Sequence, residues 1–236
     1  MLNKGMTDYE KYTRTEELLS LQKSEIEMLC TDELTYQTIR QIAELHFKLI
    51  GQYLRLAKAY VEADNLLFAT NQLRRVDLHL KLLPEVFNLV SVIEPTDYQT
   101  IRTFAAPGND YDSPGFIEII KLGEALWDPF KKILNKKNLS VIELLKQGDA
   151  NYKLFHFIQE LITFDEGFQT LCFHHNKLVR RMNSLDTKRC KELAIPAMEN
   201  SIQYELFPEL WNGISVLAES TFPGYYTKSA KDSDGL

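Results

Sequence analysis

The chain has 236 residues, of which 44% are hydrophobic and 25% charged, and its net charge is -6. This length suits one helical domain around a single core. The acidic balance argues against a nucleic-acid partner, because phosphate binding needs clustered Lys and Arg. Three cysteines without a CxxC pair argue against a disulfide framework or a cysteine zinc site. The N-terminus is too polar for a signal peptide, and no apolar run approaches the ~20 residues that cross a bilayer. We therefore expect a cytoplasmic protein with no membrane partner.

The apolar residues repeat at helical spacing, and no sustained alternation of period two occurs, which predicts an all-α fold. Thr96 and Gln99 form a candidate capping box, and Ser113 followed by Pro114 is a helix-start signal. A Pro- and Gly-containing loop precedes Ser113, and a kink is predicted at Pro84. The predicted helices cover 15–29, about 31–63, about 65–93, 97–104, 114–135, 140–147, about 150–182 and 201–218. Residues 184–200 are irregular or weakly helical in this interpretation. We expect a single domain over 1–222, with an N-terminal arm over 1–14 and a flexible tail over 223–236.

The five histidines offer no pair three or four residues apart, which disfavours a multi-histidine metal site on one helix. They are His46, His79, His156, His174 and His175. His175 lies in the middle of an apolar stripe on the last long helix, whereas His174 points elsewhere. A buried neutral imidazole of this kind could bind haem iron. Spacing alone favours a core histidine that bonds a carbonyl.

Several segments, in the same order along the chain, resemble the tryptophan 2,3-dioxygenase superfamily. YEKYTRTEELLSLQ is similar to the family's tyrosine-containing opening segment, and DELTYQTIRQIAELHFKL resembles its DE-x-LFI-x-HQ-x-ELW-x-K motif. The stretch ending in YQTIRTF resembles a Tyr/Phe-x-x-Phe-Arg motif, and PGNDYDSPGF stands where the family has PSSGFQS. FQTLCFHHNKLVRRM resembles FQLWRFRH-x-x-x-V-x-R, and FPELW resembles FPELF. The resemblance spans roughly residues 9–211.

The resemblance implies roles for individual residues. His175 falls at the position of the proximal ligand of haem b, and Arg181 matches an arginine that could pair with a haem propionate. Arg102 falls at the position that binds the substrate carboxylate, a group that a guanidinium can bind bidentately. Without the resemblance, Arg102 and Arg181 are ordinary exposed arginines.

Four tyrosines also match family positions. Tyr36 falls at an aromatic of the substrate pocket, and Tyr98 lies one helical turn before Arg102. Tyr9 and Tyr12 match residues that, in the family, reach the active site of a neighbouring subunit. The resemblance therefore implies a homo-oligomer, a tetramer or a dimer. Taken alone, Tyr9 and Tyr12 are surface aromatics.

Two departures from the family pattern concern the site. Arg40 replaces the family's distal histidine, and an arginine cannot act as a base because its pKa exceeds about 12. It can stabilise an anion, such as an oxygen species or a second carboxylate. Alternatively Arg40 points outward, or the helix register is shifted and His46 enters the pocket. The family's GTGGS loop is absent, NSLDTKRCKELAIPAMENS stands in its place, and the chain is shorter around 122–150.

The resemblance implies an all-α, haem-binding bundle of the tryptophan 2,3-dioxygenase type that oxidises an aromatic amino acid or indole derivative with O2 or peroxide. We assign a catalytic role to Arg40. The substrate-binding roles go to Arg102, Tyr36, Tyr98, Tyr9 and Tyr12. The departures keep three alternatives open: an aromatic hydroxylase of the same superfamily, a non-catalytic haem-binding or sensor protein, and a helical interaction module without haem.

Overall fold

Ten α-helices make up the described part of the chain, residues 5–105, 113–182 and 204–221 of a computed structural model, which contains no strand in those ranges. The all-α prediction is therefore confirmed. The helices are α1 Asp8–Thr13, α2 Thr15–Leu19, α3 Glu33–Glu62, α4 Leu66–Asn88, α5 Pro95–Thr100, α6 Pro114–Glu124, α7 Trp127–Lys136, α8 Val141–Lys146, α9 Tyr152–Met182 and α10 Pro208–Thr221. The predicted loop before Ser113, the segment 184–200 and the tail 223–236 lie largely or wholly outside the described residues.

The long helices α3, α4 and α9 form the framework, with α4 packed against both of the others and α6 packed against α3. Each long helix buries one apolar stripe, because its hydrophobic residues recur every three or four positions. The fully buried side chains at the centre include Phe130, Phe157, Phe164, Phe168, Phe207, Ile50, Leu54, Leu73, Leu80 and Leu83. Among the described residues no helix is both long and apolar enough to span a bilayer.

The prediction of a helix over 15–29 is wrong, since α2 ends at Leu19. Side chains of α3 bind the backbone of the segment that lies between α2 and α3. Gln37 accepts a hydrogen bond from the Lys23 N–H at 2.9 Å, and Glu33 accepts one from the Leu29 N–H at 2.6 Å. Glu33 is buried and also pairs with the Lys23 ammonium. These contacts satisfy backbone donors that a longer helix would have used internally.

Three other boundaries differ from the prediction. The prediction of a Thr96–Gln99 capping box is wrong, because α5 begins one residue earlier, at Pro95. Proline suits a first helical position, since it has no N–H to satisfy. The predicted helix over 114–135 is two helices, α6 and α7, since Pro129 cannot donate within a continuous helix. The Ser113–Pro114 start is confirmed, and the Ser113 hydroxyl accepts a hydrogen bond from the Phe116 N–H at 3.0 Å. The last helix begins only at Pro208.

Gly115 lies where α6 packs closely against α3. A Cβ at this position would lie 2.7 Å from the Phe47 Cβ and 2.7 Å from Glu44 Oε2. Gly115→Ala should therefore lower the free energy of unfolding by about 1–3 kcal/mol through overpacking. Urea unfolding measures the change. Gly5→Ala is the matched control, because nothing lies within 4 Å of its added Cβ. Equal stability of the Gly115 variant and the wild type would contradict this close contact.

Candidate functional site

A cavity opens beside the C-terminal half of α9, where that helix faces α3, α4 and α5. Its walls are mostly apolar, with one imidazole, one guanidinium and one phenol. The lining residues are Arg40, Phe87, Val90, Tyr98, His175, Leu178 and Val179. The empty space, including the part open to solvent, is about 300 Å³.

His175 reaches the cavity because it continues the buried stripe of α9. Phe168, Leu171 and Cys172 precede it on that stripe and are at most 1% exposed, and His175 itself is 8% exposed. Its ring meets the ring of Phe87 edge to face, with centroids 5.8 Å apart. His174 is half-buried, packs against Phe173, and is absent from the cavity wall.

Arg40 is half-buried and lines the same cavity as His175. Its guanidinium donates a hydrogen bond to the Tyr36 hydroxyl at 3.1 Å and lies 5.0 Å from the centre of the Tyr36 ring. Tyr36 in turn meets Tyr98 edge to face, with centroids 6.0 Å apart. The arginine is thus held by Tyr36, which belongs to a buried aromatic pair. His46, the residue expected in the pocket if the register were shifted, instead contacts His79 on α4.

The donor set of this cavity fits haem. One imidazole, that of His175, lies on the cavity wall. Haem supplies a ring of porphyrin nitrogens and needs only axial donors from the protein. Burial raises the pKa of the Cys172 thiol to about 12, which disfavours a thiolate donor one turn before His175. The walls must move outward to admit a whole haem, because the present space is small.

A buried carboxylate on α9 anchors the segment before α10. Asp165 is fully buried, and its Oδ2 accepts hydrogen bonds from the Trp211 indole N–H at 2.8 Å and the Phe207 N–H at 3.2 Å. Gln169 donates to Oδ1 at 3.2 Å. Burial raises the pKa of this carboxyl, and the hydrogen bonds offset part of the rise. The same helix therefore carries His175 and fixes the FPELW segment.

The other predicted site residues lie outside the cavity wall. Arg102 is half-buried on a π-helical turn, Ile101–Ala105, that follows α5 directly. Arg181 is exposed near the end of α9. Tyr9 and Tyr12 are 72% and 90% exposed on α1, a helix with no buried residue. Their proposed roles remain predictions.

Sequence reasoning missed Phe87 and Val90 as cavity residues and Asp165 as an anchor. Phe87 and Val90 belong to a helical apolar pattern that is indistinguishable from ordinary core. A signal for Asp165 was present, since a carboxylate beside Phe164 on the apolar stretch of a long helix needs buried donors.

No family model matches the chain. A search of known proteins finds relatives that are named tryptophan 2,3-dioxygenase. Tryptophan 2,3-dioxygenase of Saccharopolyspora erythraea is 24% identical over 86% of this chain and 90% of its own length. The enzymes of the same name from Kineococcus radiotolerans and Shewanella woodyi are 23% and 21% identical, each over 86% of this chain and 88% of their own length. With collinear motifs and an all-helical fold that brings Tyr36, Arg40, Tyr98 and His175 together, the chain is a divergent member of the tryptophan 2,3-dioxygenase superfamily.

Proposed function

We propose that this protein is a haem-dependent oxygenase that acts on a small aromatic substrate, an amino acid or an indole derivative. The observation that carries the proposal is a single cavity lined by a buried histidine, a half-buried arginine and a tyrosine, within apolar walls. His175 is the proposed axial ligand of haem b. When bound, haem supplies the activation of O2 or peroxide that no side chain can provide.

Tyr36 and Tyr98 provide the aromatic face expected for such a substrate, and Arg40 provides the cation beside it. The hydrogen bond and the ring contact from Tyr36 fix the guanidinium, so it needs little reorganisation to meet a negative charge. Arg40 cannot accept a proton at neutral pH. Its proposed role is to stabilise negative charge on oxygen, and proton transfer must come from another group or from the substrate.

Arg102 is proposed to bind a substrate carboxylate. It follows Tyr98 by four residues and lies on a π-helical turn, a rare conformation that is frequent at functional sites. The structure does not place Arg102 on the cavity wall. The proposal therefore requires either a substrate that extends beyond the present cavity or a movement of the turn toward the cavity.

The two arginines should have separable effects. Arg102→Leu should weaken binding of an aromatic amino acid by roughly 100-fold, since losing a charge-assisted contact costs a few kcal/mol and each ~1.4 kcal/mol is a factor of ten. Arg40→Leu should reduce turnover more than ligand affinity. Difference spectra of the haem give affinity, and product assays give turnover. Arg102→Lys is a control that keeps the charge but loses the fork.

An unchanged affinity in Arg102→Leu would remove this residue from the substrate site. If Arg40→Leu left turnover unchanged, Arg40 would have no part in the oxygen chemistry, although the structure places it on the cavity wall.

We also propose that the protein works as a homo-oligomer, a dimer or tetramer, in which Tyr9 and Tyr12 contact a neighbouring subunit. Their exposure on a helix without buried residues supports this, because large apolar surfaces that remain exposed on one chain often contact another. Arg181, exposed near the end of α9, is the proposed partner of a haem propionate.

Optical spectroscopy tests the proposed function directly. Haem-loaded protein should show a Soret band that shifts when an aromatic amino acid binds, and oxidised product should accumulate with O2 or peroxide. A Soret band with neither a shift nor product would indicate a non-catalytic haem protein. Failure to bind haem at all would refute the proposal.

A further inference from the structure

A pair of histidines lies between α3 and α4, away from the cavity wall. His46 on α3 and His79 on α4 are both half-buried, and their Nδ1 atoms are 2.9 Å apart. Their ring centroids are 5.0 Å apart, and the rings are nearly perpendicular. Neither residue lines the cavity that contains His175. We infer that these two imidazoles form a binding site for a divalent transition-metal ion of the zinc and copper class.

The distance between the nitrogens suits this role. A zinc–imidazole bond is about 2.0–2.1 Å long, so two ligands are about 2.9 Å apart at a right angle and about 3.3 Å apart at a tetrahedral angle. The observed 2.9 Å separation therefore needs no movement of the helices, only rotation of the rings until both nitrogens face one point. Both side chains come from long helices, which hold the two nitrogens in place without a flexible loop.

The protonation state also suits a metal. Burial lowers the pKa of His46, and burial together with the neighbouring His46 lowers the pKa of His79, which favours the neutral imidazoles that bind a metal. In the metal-free pair one Nδ1 carries the proton of the shared hydrogen bond. Metal binding at both Nδ1 atoms moves that proton to Nε2 of the same ring, so the ring stays neutral and no proton is lost overall.

Among the described residues no group of three or more His, Cys, Asp or Glu surrounds this pair. The Tyr53 ring packs against His79, with centroids 5.8 Å apart, and the Arg75 guanidinium lies over the same Tyr53 ring, 5.6 Å from its centroid. Asp77 pairs with Lys81. Water would complete the coordination sphere, since the described residues hold no third His, Cys, Asp or Glu in position. Such a two-imidazole site should follow the usual order of affinity, Cu²⁺ above Zn²⁺.

Isothermal titration of the haem-loaded protein with Zn²⁺ tests the inference. We expect one saturable site, and His46→Gln or His79→Gln should weaken it by at least about tenfold, because even the loss of a group that merely orients a ligand costs about 10- to 100-fold. His156→Gln is the matched control, since His156 is half-buried on α9 and contacts the Tyr152 ring rather than a second imidazole. That variant should bind Zn²⁺ like the wild type.

Nitrogen NMR of the wild type covers the case in which a variant fails to fold. Zn²⁺ should shift the ring-nitrogen signals of His46 and His79 and leave that of His156 in place. The Soret band should not change, because the site is separate from the cavity. No saturable binding by the wild type, equal binding by the two variants, or unchanged signals for His46 and His79 would each overturn the inference.

Discussion

His175→Ala should give a folded protein that no longer retains haem. The substitution keeps a good helix former inside α9 and removes the only imidazole on the cavity wall among the described residues. The rest of the wall is mostly apolar and offers no second imidazole among the described residues. The measurement is the Soret absorbance per protein after haem is added and the excess removed by gel filtration, with circular dichroism to verify the fold.

His174→Ala is the matched control, because the neighbouring side chain is half-buried and packs against Phe173 instead of the cavity. It should retain most of the haem. External imidazole added to the His175 variant should restore part of the absorbance, since it can occupy the space left by the side chain. A His175→Ala spectrum identical to that of the wild type would show that the ligand lies elsewhere.

Asp165→Ala should have the largest effect on stability. It leaves the Phe207 N–H and the Trp211 indole N–H without their buried acceptor. Each unsatisfied buried donor costs about 1–3 kcal/mol, so with two donors the free energy of unfolding should fall by roughly 2–6 kcal/mol. Urea unfolding measures it. Glu166→Ala, at the exposed neighbouring position, should change stability by less than about 0.5 kcal/mol. A small effect of Asp165→Ala would mean that solvent reaches these donors.

The same carboxyl should make stability depend on pH. Burial raises the pKa of Asp165, so the folded protein binds this proton more tightly than the unfolded chain does. The associated stability is present below the unfolded pKa of about 3.9 and is lost as the pH rises through the folded pKa. Asp165→Asn cannot titrate. The stability of the wild type relative to that variant should therefore decline with rising pH across this window.

The helical framework was predictable because its signal is local. Apolar residues at helical spacing predicted α3, α4 and α9. Most of their boundaries lie within about three residues of the prediction, and the exception is the C-terminal end of α4. The position of His175 on a buried stripe follows from the same periodicity. The segment 20–32 was not predictable, because two of its backbone N–H groups, those of Lys23 and Leu29, donate to Gln37 and Glu33 on another helix.

Contacts between helices account for the other differences. His46 and His79 are 33 residues apart in the sequence and meet only because α3 and α4 pack against each other. Spacing on one helix could exclude a histidine pair on one face, but it could not exclude one formed by two helices. The position of Arg40 depended on the rotation of α3, which is fixed by the burial of Tyr36, Ala43 and Phe47.

The most direct test of the proposed oxygenase is transfer of labelled oxygen. Haem-loaded, reduced protein is incubated with tryptophan, tyrosine or indole under ¹⁸O2, or with labelled peroxide, and the products are analysed by mass spectrometry. We predict that ¹⁸O enters at least one aromatic product, and that His175→Ala abolishes the label while His174→Ala does not. Haem-loaded wild-type protein that transfers no label to any of these aromatics would contradict the proposed oxygenase function.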